Sequence, residues 1–185
     1  MTACRLHILG ASGTGTSTLG RAMAGHWSVP FHDTDDYFWR PTEPPYTEAR
    51  PKAERLALMA QMFLPRRAWV LSGSMVSWSE TVEPLFDLVV FLSLDPEVRL
   101  ERLRRREANR YGAKAIAQGG AYHTSFVTFM DWAAAYDTPD FVGRSLTRHQ
   151  AWLAMRACPV LKLDAALPTA ELVAQITAAT PRPKA

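Results

Sequence analysis

The chain has 185 residues, 48% of them hydrophobic, and 21 lysines and arginines against 18 aspartates and glutamates give it a formal charge of +3. Disorder would need lower hydrophobicity with higher net charge, so these values describe one globular domain. A membrane span would need about 18 or more consecutive apolar residues, and the longest apolar stretch, Leu88 to Leu94, is already interrupted by Ser93.

From the N-terminus, Cys4 to Leu9 is a short apolar run closed by Gly10, a glycine-rich stretch follows to Gly15, and Leu19, Ala22, Met23 and Trp27 then recur at helical spacing. This predicts strand, loop, helix. Arg5, His7 and Gly10 break what would have to be the apolar core of a secretory signal, so a cytoplasmic location is expected. Val29 to Asp33 predicts a second strand, and the aromatic, proline-rich segment Tyr37 to Tyr46 an irregular functional loop. Leu56, Met59 and Phe63 mark one face of a helix that Pro51 suits at its first turn and Pro65 ends. Ala68 to Leu71 reads as a third strand stopped at Gly73, and Leu88 to Leu92 as a fourth. Asp95-Pro96 then forms an N-cap and first helical position for an arginine-rich helix.

The segment 109–143 holds Gly112, Gly119, Gly120 and Gly143 around a helical pattern in Phe126, Phe129, Met130 and Ala133, and is expected to be a lid inserted in the single domain 1–185. Ser145 to Arg156 predicts a helix, Pro159 to Leu163 a fifth strand, and Ala170 to Ala178 a last helix before a frayed tail from Pro181 to Lys184. Cys4 and Cys158 have neither zinc nor disulfide spacing and read as small core residues, and His32, His123 and His149 show no metal-ligand spacing.

Short strands alternating with longer helices predict an α/β fold, because parallel strands need helical crossovers that cover both faces of the sheet. Ligands of such sheets sit outside the carboxyl ends of the strands. The polar stretches Gly10 to Ser17, Asp33 to Asp36 and Ser72 to Ser74 all fall at those ends.

Gly10-Ala11-Ser12-Gly13-Thr14-Gly15-Thr16-Ser17 has the glycine spacing of the phosphate-binding loop G-x-x-x-x-G-K-[ST], between a strand and a helix, with Thr16 at the lysine position. Glycines let such a loop curl so that backbone N–H groups point at phosphate oxygens, and the helix N-terminus adds about half a positive charge. A dinucleotide site would need G-x-G-x-x-G; here the spacing is G-x-x-G-x-G.

With these residues the chain resembles the P-loop small-molecule kinases of the nucleoside monophosphate kinase (adenylate kinase-like), shikimate kinase and gluconate kinase type, with a phosphate loop lacking the lysine. Phe31-His32-Asp33-Thr34-Asp35 looks like the F-x-D-[ST]-D segment that ends the second strand in shikimate kinases. The resemblance implies a P-loop NTPase three-layer α/β/α sandwich, a five-stranded parallel sheet in order 2-3-1-4-5, a helical lid, and ATP and Mg²⁺ as cofactors. It further implies transfer of the γ-phosphoryl group to a hydroxyl or phosphate of a small-molecule acceptor. The nucleotide is expected on Gly10, Ser12, Gly13, Thr14, Gly15, Thr16, Ser17 and Thr18, and the metal on Ser17 and Asp33. In that family one aspartate serves the metal shell and the other contacts the acceptor hydroxyl, which implies those roles for Asp33 and Asp35. The chemistry agrees: an acceptor hydroxyl needs a carboxylate to orient it and take its proton, and Mg²⁺ prefers oxygen ligands. Ser72 stands where many relatives carry an aspartate.

Of the 21 cations 17 are arginine, the better fork for phosphate oxygens. Arg144 and Arg148, at i and i+4 of a predicted helix, are expected as catalytic cations, and the resemblance to nucleoside monophosphate kinases implies phosphate contacts for such a pair. Arg106 and Arg110, continuing the spacing from Arg102, are expected near the nucleotide; Arg99, Arg104 and Arg105 read as a solvated face. Tyr37, Phe38, Trp39, Tyr46 and Trp78 fall near the acceptor side, as packing or as walls for a planar acceptor. Two other readings stand beside the kinase: a catalytically inactive nucleotide-binding protein, which the lysine-less loop suggests, and an arginine-rich nucleic-acid binder, for which +3 is weak support.

Overall fold

The computed structural model describes residues 3–181; the tail read above lies, beyond Pro181, outside the described residues. Five strands, β1 (Arg5–Gly10), β2 (Phe31–Asp33), β3 (Trp69–Ser72), β4 (Leu88–Ser93) and β5 (Val160–Asp164), form one sheet in the order β2-β3-β1-β4-β5. Every pairing is parallel, so each connection crosses over; all are helical except that from β3 to β4, which is loop with one 3-10 turn at Glu83–Leu85.

Because successive side chains of a strand point to opposite faces, β1 feeds two cores. Leu6 and Ile8 pack with Val70, Val90 and Leu92 beneath Leu19 and Met23 of α1 (Thr16–Trp27) and Leu172 and Ile176 of α8 (Thr169–Ala179). Leu9 packs on the other face with Leu71, Val89 and Phe91, under Met59 of α3 (Lys52–Met62) and Trp152 and Leu153 of α7 (Leu146–Ala154). Each such fully buried side chain contributes roughly 1.5–3 kcal/mol relative to exposure. His7 also enters the second core, completely buried and stacked on Phe86 at 4.7 Å, with neither ring nitrogen in hydrogen-bond geometry. Burial pushes its pKa down to about 3.

Three local expectations are corrected. The segment after β2 is not irregular from Tyr37 onward: α2 (Thr34–Phe38) forms because the Asp33 carboxylate caps it, accepting from the Asp35 N–H at 3.1 Å. Pro51 precedes α3 instead of sitting in its first turn. Arg144 is not helical: α7 starts after Ser145, whose extended backbone and hydroxyl cap the helix by accepting from the Arg148 N–H.

Asp95 caps α4 (Pro96–Tyr111) as its sequence predicts, accepting from the N–H groups of Glu97 and Val98. Arg99, however, is no solvated residue; it is 1% exposed and shares a buried face with Leu103 and Glu107. Its guanidinium donates to the carbonyls of Ser12 and Ala133 and pairs with Asp137 at 2.7 Å. The segment 109–143 comprises the end of α4, a short α5 (Ala113–Ile116) and α6 (His123–Ala134), which packs on α4. No helix among the described residues is long and apolar enough to cross a membrane.

Candidate functional site

The loop from Gly10 to Thr16 joins the end of β1 to the first turn of α1, whose opening N–H groups have no intrahelical partner. Gly13 takes φ +89, and a Cβ there would stand 2.6 Å from the Arg99 carbonyl, so the loop lies flush on α4 only with glycine. The Thr14 hydroxyl donates to the Ala11 carbonyl at 2.8 Å and fixes the curl from within. Residues 10–18 line a cavity of about 680 Å³ whose other walls hold Asp33, Asp35 and Asp36, the arginines 21, 102, 106, 110 and 144, and Ala165, Leu167 and Thr169. All the loop residues expected at phosphate are therefore together. Five guanidinium groups share the cavity with Thr16.

Asp33 ties the ends of β2 and β3 and the starts of α1 and α2 to one carboxylate. Its Oδ2 accepts from the Ser17 hydroxyl at 2.5 Å and from the buried Ser72 hydroxyl at 2.8 Å, while Oδ1 caps α2. Ser72 thus supplies a donor where a second carboxylate would have repelled Asp33. Gly73, next in the chain, has φ +98, and a Cβ on it would fall 1.9 Å from Thr34 Oγ1. That close approach seats the first turn of α2 on the end of β3.

A second cavity of about 790 Å³ opens on the other side of Asp35. Phe38, Trp39 and Tyr46 come to it from the segment after β2, Trp78 from the segment after β3, and Tyr111, Tyr122, Phe126, Phe129 and Trp132 from α4 to α6. Tyr37 is absent from this wall, being buried with its hydroxyl 2.7 Å from His32 Nδ1. His149 borders the cavity, completely buried, with Nε2 3.0 Å from the Ser74 hydroxyl and Nδ1 2.8 Å from the Tyr136 hydroxyl. Burial, reinforced by the Arg144 charge, pushes its pKa down to about 3, so the ring is neutral at physiological pH.

Asp35, Ser12, Tyr46, Arg106, Arg110 and Arg144 line both cavities. Asp35 stays open to solvent but lies deep in the cleft, and this crowding, with the neighbouring Asp33 charge, raises its pKa against the opposing pull of Arg144 and Arg106. Arg144 is half-buried, its guanidinium 5.3 Å above the Trp132 ring, and among the described residues no carboxylate lies within ion-pair distance of it. Burial lowers its pKa while the fields of Asp35, Tyr136 and Asp33 raise it. Arg148 shares only the aromatic cavity with it: exposed, it donates to the Val142 carbonyl at 2.7 Å and the Gly143 carbonyl at 3.3 Å, and it is absent from the cavity over the glycine loop. Arg106 pairs with the buried Glu107 at 2.8 Å, and Arg110 stands 3.9 Å from the same carboxylate and 5.4 Å over Tyr46.

Sequence reasoning missed Arg99, His149 and the aromatic wall of 111–132. For Arg99 a signal existed, since Leu103 lies four residues on and shares its face. For the others the pairing is purely tertiary.

No protein-family model matches the chain. It is 42% identical over 159 residues to the uncharacterized protein YqaC of Bacillus subtilis strain 168, a match covering 86% of this chain and 87% of that one. Among solved structures, a gluconokinase from Sinorhizobium meliloti 1021 superposes with a TM-score of 0.53 at 19% identity, covering 95% of this chain and 90% of that one. Shikimate kinase from Bacteroides thetaiotaomicron gives 0.53 at 20%, covering 95% and 97%, and shikimate kinase from Acinetobacter baumannii in complex with shikimate 0.53 at 16%, covering 95% and 92%. At such identities the likeness shows the fold, that of the P-loop small-molecule kinases, with the strand order seen here.

Proposed function

From the premise that the chain belongs to the family of Bacillus subtilis YqaC and has a P-loop small-molecule kinase fold, we propose that it transfers the γ-phosphoryl group of ATP to a small-molecule acceptor. One observation carries this reading: the cavity over the glycine loop and the aromatic cavity meet at Asp35 and Arg144. A phosphoryl donor in one and an acceptor in the other would face each other across a carboxylate and a cation, which are the two groups that transfer needs.

Backbone N–H groups of residues 10–18 and the start of α1 hold the phosphates, and Arg102 with Ala165 and Leu167 borders the nucleoside end. The donor set at the loop fits Mg²⁺: Ser17 and Asp33 are hard oxygens side by side, and Ser17 donates to Asp33, so its lone pairs stay available. When bound, the ion neutralises charge on the outer phosphate oxygens. Asp35 accepts the proton of the acceptor hydroxyl as the acceptor oxygen bonds to phosphorus and the bond to the ADP oxygen breaks; its raised pKa makes it the stronger base for that proton. Arg144, free of any carboxylate partner among the described residues, compensates the charge that spreads over the transferring oxygens and that Thr16 cannot meet. The lid reading extends to 109–143: Arg99 bonds both the loop carbonyl of Ser12 and the end of α6, so closure over nucleotide would be felt at the loop.

A nucleotide-binding protein without transfer is the second reading, and Thr16 is the observation in its favour. A screen for Mg²⁺-dependent ADP release over nucleosides, nucleotides, sugar acids and aminoglycoside-like alcohols decides between them. Release that requires one acceptor supports the kinase; nucleotide binding with no release from any acceptor, joined to its appearance in Thr16→Lys, establishes the non-catalytic reading.

A further inference from the structure

We propose that the acceptor is a flat, ring-bearing molecule and not a polyhydroxylated sugar acid, seated among the aromatic side chains of the larger cavity with its reacting hydroxyl at Asp35. The proposal rests on the phosphotransferase reading and adds the substrate class to it.

The first ground is the wall itself. Trp39, Trp78, Tyr122, Phe126, Phe129 and Trp132 reach one cavity from three separate stretches of chain. Several are braced by neighbours: the Arg55 guanidinium lies 3.6 Å over Phe38 and 5.3 Å over Trp78, Tyr111 stacks on Tyr122 at 4.6 Å, and Phe129 stacks on Trp132 at 6.1 Å. Aromatic surfaces fixed before binding reward a ligand that also presents a π-face, since stacking buries area without needing a hydrogen bond.

The second ground is the state of the polar groups at the same cavity. The Ser74 hydroxyl is engaged with His149, the Ser125 hydroxyl donates to the Tyr122 carbonyl, Arg148 is bound to two backbone carbonyls, and Arg106 to Glu107. A sugar acid would bring a hydroxyl on nearly every carbon into this space and turn several of them toward aromatic carbon, which costs binding. A ring alcohol brings one or two, and Asp35 with Arg144 suffices for those. The volume, about 790 Å³, lies in the range that encloses a ring system with a side chain.

The test runs equilibrium dialysis, with ADP and Mg²⁺ present, beside ADP release from ATP. Two probe sets are compared on the full chain: flat aromatic-ring alcohols (2′-deoxynucleosides and hydroxymethylpyridines) against the non-planar polyol acids gluconate and shikimate. Ring probes are expected to bind and to release ADP with a KM about tenfold or more below that of the polyol acids. Trp132→Leu and Tyr122→Leu should each raise the ring probes' KM about tenfold while the KM for ATP stays within about twofold, with Trp132→Phe restoring most of the loss. Phosphorylation of gluconate or shikimate with inert ring probes overturns the inference and leaves the phosphotransferase standing. Ring probes that bind without any ADP release support the cavity assignment and overturn the phosphotransferase. Binding of neither set overturns the inference, and these wild-type comparisons hold even where a variant fails to fold.

Discussion

The cavity over the glycine loop takes its floor from strand ends and a helix start, so its N–H groups, Ser17 and Asp33 are held by the register of the sheet. The aromatic cavity beside it takes its walls from the segment after α2, the segment after β3 and the stretch from α4 to α6, where side-chain stacking does the holding. A phosphate is nearly the same object in every nucleotide, and backbone geometry is a sufficient and durable way to grip it. An acceptor differs from enzyme to enzyme, and side chains on connecting segments are what can differ with it.

Asp35→Asn tests the seam between the two regions with the largest expected effect. Transfer should fall by about 10²-fold or more while nucleotide affinity stays nearly unchanged. An equal loss of nucleotide binding, measured by titration with ATP and Mg²⁺, would place Asp35 in the wrong cavity.

Arg144→Ala should lower turnover by about 10²-fold, the scale for losing one aimed donor to developing charge, whereas Arg148→Ala should stay within about threefold. Steady-state kinetics of the two variants break the comparison if their order is reversed, because Arg148 borders only the aromatic side.

A smaller change is expected from Thr16→Lys: ATP should bind about tenfold tighter, with no matching gain in rate if Arg144 already meets the transferring charge.

The pH dependence sharpens the division further. Asp35 acts as a carboxylate, and its pKa is raised by crowding and by Asp33, so turnover should decline with falling pH while still above the ordinary aspartate value of 3.8. ATP binding should lack that acid limb, and the limb should vanish from the residual activity of Asp35→Asn.

The same division decides what could be read from the sequence. The glycine spacing with the hydroxyl at Ser17, and the Asp33 to Asp35 segment, each act within a few residues, and short-range geometry leaves a pattern in the chain. The strand order came through family resemblance. Arg99 was misjudged because the groups that bury it, the Ala133 carbonyl and the Asp137 carboxylate, stand 34 and 38 positions away. Placing Arg144 on one helix face with Arg148 failed for a local reason: Ser145 makes a better cap than a helix interior residue, and the helix starts at Leu146, two positions after Arg144. The aromatic wall of 111–132 looked like ordinary apolar spacing, since periodicity marks a face without saying whether protein or ligand will cover it.

His7 and His149 make folding a proton-releasing event. Both rings are fully buried and stay neutral down to about pH 3 in the folded chain, while an unfolded chain binds protons on them below about pH 6.5. Between those values unfolding takes up protons, so stability is complete above the upper limit and drains away as the pH falls toward the lower one. Calorimetric unfolding enthalpies near pH 5 should therefore vary with the ionisation heat of the buffer, and the melting temperature should climb from about pH 4 and level off above about pH 6.5. Acid would therefore weaken the fold through these two rings in its core, a route separate from the titration of Asp35 at the site.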